Sequence, residues 1–247
     1  MKLYHYTSLD SFIKIWMSGH LLFADSNCTN DIFESKKISS LGNCKIPHVD
    51  GETDIEIMGH FMKMLWGEVN NYKQINLTQD YSCKMPGYSS PMMWGQYANK
   101  GNGVCFELNS DKLDLSSTDS ISNPIEYTDE VPILEIDDID LSSQDKILRF
   151  VEDKINDIFF KKHIHWQFEN EYRLISKNKN FLDISKAVTN VYLPYKEDSV
   201  EFKIVDKLLE GSNVDIRVLT TTGSNVRKIS SYNYSRLKEQ LEKLNRN

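Results

Sequence analysis

Two rhythms of hydrophobic spacing alternate along this chain, and each predicts an element. Leu9, Phe12, Ile13 and Trp16 recur at i, i+3, i+4 and i+7, one face of an amphipathic helix, with Ser8 or Asp10 placed to cap its start. Gly19 is placed to end it, as glycine does where the chain must turn left-handed. The aromatic segment Tyr4-His5-Tyr6-Thr7 before this helix reads as a strand, and Leu21 to Ala24 after it as another. Residues 25–53 carry no period and are rich in Ser, Asn, Gly and Asp, which predicts a long loop. Helical spacing returns over 54–72, with Ile55, Met58, Met62, Leu65 and Val69 on one side.

Pro91 fits the first turn of a short helix carrying Met92, Met93, Trp94, Tyr97 and Ala98, broken by Gly101 and Gly103. Alternation then predicts strands at 104–108 and 124–128. Residues 140–162 read as one long helix burying Ile147, Phe150, Val151, Ile155 and Ile158. Further strands are predicted at 169–175, 188–193, 215–219 and 225–229, with a helix near 200–210 and a charged helix at the end. The pattern predicts an α+β protein with one domain over residues 1–247 and helical excursions near 54–72 and 140–162.

Charge changes this picture by exclusion. A formal net charge of −7 with 29 Lys and Arg argues against a general nucleic-acid or anionic-membrane footprint, although a local basic groove remains open. The four cysteines, Cys28, Cys44, Cys83 and Cys105, form no C-x-x-C pair and read as reduced and mostly buried. No apolar run approaches about 18 residues, and no charged segment leads into an apolar one at the start, so the expectation is a cytoplasmic protein with no membrane partner.

Chemistry concentrates in four places. His5 sits in the first strand, where it is either a hydrogen-bonded core residue or one wall of a nucleotide cleft. In Trp166-Gln167-Phe168-Glu169-Asn170-Glu171-Tyr172-Arg173, strand alternation places Glu169, Glu171 and Arg173 on one face. That face is either solvated or holds a carboxylate beside an arginine, aimed into a cleft where it can stabilise positive charge on a sugar ring. Trp94 and Tyr97, three residues apart, share a helix face that serves packing or offers an aromatic shelf to a flat ring. Asn30-Asp31-Ile32-Phe33-Glu34 reads as an Asx-type turn into a helix or as a presentation of Asp31 and Glu34 to a ligand or metal.

In order and spacing these segments resemble the bacterial family named for domain of unknown function 2971. The resemblance rests on Tyr4 to Ser8, Ser18-Gly19, Asn30 to Glu34, Met93 to Ala98 with Gly103, and Trp166 to Arg173. Ile32 stands where that pattern has proline, Phe168 where it has tyrosine and Tyr172 where it has tryptophan. The opening unit is also similar to the start of DNA-modifying toxin ADP-ribosyltransferases and, more distantly, to ADP-ribosyltransferases of the His–Tyr–Glu type. That resemblance implies a split mixed β-sheet gripping NAD, as substrate, with helical insertions. It implies that His5 bonds a ribose hydroxyl, that the Tyr6-Thr7 backbone meets the nicotinamide amide, and that Tyr97 or Trp94 stacks on the nicotinamide ring. Glu171 would bind the nicotinamide ribose and steady the oxocarbenium-like transition state, Glu169 would orient the acceptor, and Arg173 would join the residues that bind NAD.

The leading expectation is therefore an NAD-using ADP-ribosyltransferase with an unidentified macromolecular acceptor, in the role of a toxin or antiviral effector. With water as acceptor the same site is an NAD glycohydrolase. Two other classes stay open: a noncatalytic nucleotide- or nucleic-acid-sensing module, and a phosphodiesterase holding Mg²⁺ on Asp31, Glu169 and Glu171.

Overall fold

The computed structural model describes residues 1–25, 54–82, 85–115, 119–130, 144–221 and 229–244. Among the described residues, its centre is a nine-stranded mixed sheet. The first strand, β1 (Lys2–Thr7), pairs along its whole length with antiparallel β5 (Val104–Asn109), His5 opposite Phe106. On its other side β1 meets β4 (Lys73–Gln79) at two register pairs, Leu3 with Gln79 and Tyr4 with Thr78. Beyond Tyr4 the two strands part. β4 continues against β9 (Glu171–Ser176), and β6 (Ile121–Pro124) lies outside β9. The two-residue β3 (Ala24–Asp25) also pairs with β4.

On the β5 side the sheet runs on through β11 (Val188–Leu193), β12 (Asp215–Thr221) and β13 (Ile229–Asn233). β11 and β12 are parallel, which requires a crossover, and helix α6 (Val200–Leu209) supplies it. Among the described residues there are also two small ribbons: β2 (His20–Leu22) with β10 (Phe181–Asp183), and β7 (Glu126–Thr128) with β8 (Lys161–His163).

The sheet's two faces differ chemically. One carries Leu3, Ile75, Leu77, Phe106 and Leu174, packed with Phe12 of α1 (Leu9–Ser18) and with Phe202 and Val205 of α6 in the main apolar core. Ser8 caps α1 by accepting from the Ser11 N–H, and Gly19 ends it at φ 72°. The other face carries Tyr4, Tyr6, Cys105 and Tyr192 beneath Met93 and Trp94 of α3 (Pro91–Tyr97). A second apolar cluster joins Phe61, Leu65 and Val69 of α2 (Asp54–Asn70) to Ile147 and Val151 of α4 (Gln144–Asp153) and Ile158 of α5 (Ile155–Phe159). Helix α7 (Tyr234–Leu244) packs on β12 and β13.

The strand expected over Leu21 to Ala24 divides at Phe23 into β2 and β3, and other expectations change as well. The helix expected over 140–162 is two helices that separate at Lys154 and stop at Phe159; within the described residues, 161–163 form β8 instead. The strand expected over 124–128 divides at Ile125, whose N–H turns away to the Glu171 carbonyl at 2.9 Å. The strand expected from Glu169 begins at Glu171, because Ile164–Glu169 winds as a 3₁₀-helix closed by a left-handed Asn170 (φ 42°). Asparagine tolerates that conformation better than most residues. Here its Nδ2 donates to the Gln79 and Asp80 carbonyls at 3.2 and 3.0 Å, pinning the turn to the end of β4.

Gly103 joins α3 to the parted end of β1. A Cβ on it would lie 2.2 Å from the Thr7 carbonyl oxygen and 2.8 Å from Ala98 backbone atoms. Both obstacles are main chain, so a rotamer change cannot relieve them. Gly103→Ala is expected to lower unfolding free energy by about 2 kcal/mol or more, in the range of overpacking, measured by urea denaturation. A loss under about 0.5 kcal/mol, the size of an ordinary surface substitution, would show that this approach has slack.

Candidate functional site

Where β1 and β4 part, they open a cavity of about 470 Å³, within the ~300–1,000 Å³ typical of small-molecule sites. Its walls come from both sides of the sheet. His5, Tyr6 and Thr7 of β1 face residues 74–78 of β4 across the gap, with Ser11 and Lys14 of α1 on one side. Tyr97, Lys162, Trp166, Glu169 and Glu171 line the other. The polar residues of β4 reflect strand alternation: Gln74, Asn76 and Thr78 share the face of Glu171, while Ile75 and Leu77 enter the main core.

His5 is half-buried on the cavity wall, facing Asn76 of β4 across the gap. Of the two readings of this histidine, the structure shows its place on the cavity wall. Desolvation disfavours the imidazolium, so its pKa is pushed down to about 4, with the Asn76 backbone carbonyl opposing the shift only in part. The unfolded chain therefore holds more protons on His5 between about pH 6.5 and 4, so its contribution is intact above pH 6.5 and is lost as pH falls through 4. Urea unfolding of His5→Gln should show a shallower loss of stability over that window than the wild type. Parallel curves would mean that His5 titrates alike in both states.

The opposite wall is a buried ionic network. Lys162 Nζ donates to Glu169 Oε2 at 2.7 Å and to Glu171 Oε2 at 2.8 Å. Arg173 grips Glu171 with Nε on Oε1 at 2.6 Å and Nη2 on Oε2 at 3.1 Å, and its Nη1 donates to the Phe159 carbonyl at 2.6 Å. Tyr97 donates its hydroxyl to Glu169 Oε1. Two acids and two bases thus offset one another where each side chain is at most 5% exposed. The backbone of Glu171 is fixed as well, its N–H meeting the Tyr127 hydroxyl at 2.9 Å. Burial raises the Glu169 carboxyl above the usual range; Lys162 opposes the shift and the neighbouring Glu171 charge reinforces it.

The structure therefore gathers His5, Tyr6, Thr7, Tyr97, Glu169 and Glu171 around one cavity. It corrects the picture of a solvated Glu–Arg face, since all three charged side chains are enclosed. Trp94 does not line the cavity. Its ring packs edge-on against Tyr6 at 5.3 Å and its indole N–H donates to the Tyr88 carbonyl at 2.7 Å, so its place is in the core. The Tyr6 hydroxyl reaches the Gly87 carbonyl on the aromatic side of the sheet. Arg173 stands behind Glu171 rather than on the wall. Asn30, Asp31 and Glu34 lie outside the described residues, as does nearly all of the 25–53 loop.

Sequence reasoning missed Lys162 and Asn76, and it named Trp166 in a motif without giving it a place in the site. Lys162 was assigned to the end of a helix, where a lysine is unremarkable; on β8 it becomes an inward-pointing cation over the Trp166 ring, 5.6 Å from its centroid. Its signal was there: Phe159-Phe160-Lys161-Lys162 drives an apolar run straight into charge. Asn76 belongs to β4, whose two apolar positions, Ile75 and Leu77, gave too short an alternation to stand out.

The metal-binding expectation meets a specific obstacle. The Lys162 ammonium sits between Glu169 and Glu171, where a bridging cation would have to displace it. Among the described residues no group of three or more His, Cys, Asp or Glu is arranged to hold a metal ion. No described helix is long and apolar enough to cross a membrane.

Residues 93–174 match the model of a family described as "Protein of unknown function (DUF2971)". That stretch contains Tyr97, Lys162, Glu169, Glu171 and Arg173 and leaves out His5. No curated protein matches the chain.

Proposed function

We infer that the chain is an NAD-using enzyme of the ADP-ribosyltransferase kind, cleaving the bond between nicotinamide and ribose. The observation that carries this reading is the parting of β1 from β4, which leaves His5 and Glu171 on the walls of a single cavity. In this reading the split sheet is the NAD grip. The neutral His5 imidazole carries one acceptor nitrogen, which a ribose hydroxyl could meet. Tyr97 and Trp166 are the aromatic surfaces available to a flat ring.

The reaction follows from charge placement. The glycosidic bond breaks, nicotinamide leaves with the bonding electrons, and positive charge grows on the ribose. Glu171, held rigid by Arg173 and Lys162, accepts a ribose hydroxyl and stabilises that charge without having to reorganise. An acceptor nucleophile then bonds the anomeric carbon and gives its proton to Glu169, whose raised carboxyl pKa suits a base. Water as acceptor gives the glycohydrolase reaction.

One observation favours a second reading, a nucleotide-binding module without turnover. Both Glu171 oxygens are already engaged by Lys162 and Arg173, as in a locked structural pair. Incubating the full chain with NAD and quantifying free nicotinamide by chromatography separates the two. Release supports the enzyme. Saturable NAD binding with no release supports the module, and absence of both rejects each.

A further inference from the structure

The buried network contains a second cation, Lys162, which braces Glu171 together with Arg173 and also reaches Glu169. Arg173 by itself meets both oxygens of Glu171, and it also donates to the Phe159 carbonyl. That pair is a forked, charge-matched unit of the kind that stands without a further ion. Lys162 nevertheless reaches out of β8 to lie 2.7 Å from Glu169 and 2.8 Å from Glu171, with its side chain 4% exposed. Holding an ammonium at that depth is costly unless its neighbours use the charge. Glu169 is the neighbour that does. It ends the 3₁₀-helix rather than belonging to the strand, it shares the enclosure with the Glu171 carboxylate, and its other oxygen is met by the neutral Tyr97 hydroxyl.

We propose that Lys162 is a positioning residue for Glu169, holding that carboxyl ionised and aimed into the cavity so that it can take a proton from the acceptor. The charged and titratable groups around Glu169 divide clearly. Lys162 of β8 favours its anion, and the Tyr97 hydroxyl from α3 does so more weakly. The Glu171 carboxylate of β9 opposes the anion, and Arg173 spends its charge on Glu171. Tyr127 of β7 stands in the field of both carboxylates, with its phenol kept neutral by burial. Trp166 covers the ammonium on its ring side. Without Lys162, a second carboxylate beside Glu171 in this enclosure would hold its proton and could not act as a base. The catalytic part of this assignment rests on the ADP-ribosyl-transfer reading; the electrostatic part does not.

The test reads Glu169 directly. The full chain is labelled with carbon-13 at the glutamate carboxyl carbon, and the Glu169 resonance is identified by its loss in Glu169→Gln. Its titration is then followed by NMR in wild type, Lys162→Met, Lys162→Gln and Lys162→Arg. An opposite charge at such a distance moves a carboxyl by roughly one to three units. Proton affinity of Glu169 is therefore expected to rise at least about tenfold in Lys162→Met and to return to within a few-fold of wild type in Lys162→Arg. Lys162→Gln keeps a donor between the carboxylates without charge; it is expected to give the same rise and serves if Lys162→Met does not fold. An unchanged Glu169 midpoint in the uncharged variants overturns the proposal, as does a rise that Lys162→Arg leaves uncorrected. Where nicotinamide is released, the acid limb of the pH–rate profile should move up by the same factor as the NMR midpoint, with KM for NAD little changed. A shifted midpoint in a chain that releases no nicotinamide upholds the electrostatic role and places the failure in the ADP-ribosyl-transfer reading.

Discussion

Glu171→Gln is expected to reduce nicotinamide release from NAD by about 10²–10³-fold, the usual effect of removing one preorganised electrostatic group. The substitution keeps the volume of the side chain and one carbonyl oxygen for Arg173, while Lys162 retains Glu169 as a partner. It removes the negative charge that the ribose cation would feel. The expected pattern is a fall in kcat with a modest change in KM, because a charge developing only in the transition state is what Glu171 is placed to meet. Circular dichroism and thermal melting must accompany the assay, since the variant leaves more positive than negative charge in the enclosure. Full turnover by a folded Glu171→Gln protein would refute the role given to Glu171.

The second large effect is on stability. Arg173 is 1% exposed and heads the fully buried side chains by volume. Arg173→Met keeps apolar bulk but orphans the Phe159 carbonyl and removes both Arg173 bonds to Glu171, leaving Lys162 to offset two carboxylates. Breaking a buried pair from one side costs about 3–5 kcal/mol, a large share of the ~5–15 kcal/mol that holds a domain together. Urea denaturation should show a loss of that order. Arg173→Lys should recover little, because a single ammonium cannot reproduce the fork onto Glu171 together with the Phe159 bond. The double variant Glu171→Gln/Arg173→Met should be more stable than Arg173→Met alone, since it no longer buries the excess carboxylate. Strict additivity of the two losses would mean that the pair is not coupled as its geometry indicates.

The Gly103 and His5 predictions probe the other wall of the same cavity. Gly103 sets how closely the segment after α3 approaches the end of β1, and His5 stands on the cavity wall at that end. The Lys162 experiment addresses the ionic wall. If the cavity has one function, damage on either side should alter the same activity through different readouts: packing at Gly103, proton affinity at Lys162.

What the sequence by itself determined was local. The 3.6-residue spacing of Leu9, Phe12, Ile13 and Trp16, with Ser8 before it and Gly19 after it, specifies α1 because cap chemistry and an apolar face are short-range properties. Period-two alternation likewise gave β5, β11 and β12, and it put Glu171 and Arg173 on one face. The tertiary structure decided the rest. Whether that face was solvated or enclosed depended on β7, β8 and α3 arriving from distant parts of the chain, which periodicity cannot encode. Glu169 joins the site through a left-handed Asn170 held by the Gln79 and Asp80 carbonyls rather than through strand alternation. Lys162 became the centre of the network only because the helix stops at Phe159, its remaining residues lying in a ribbon paired with β7. The cavity itself exists because β1 and β4 pair for two residues and then separate, and register between strands some seventy residues apart is a property of the packed sheet.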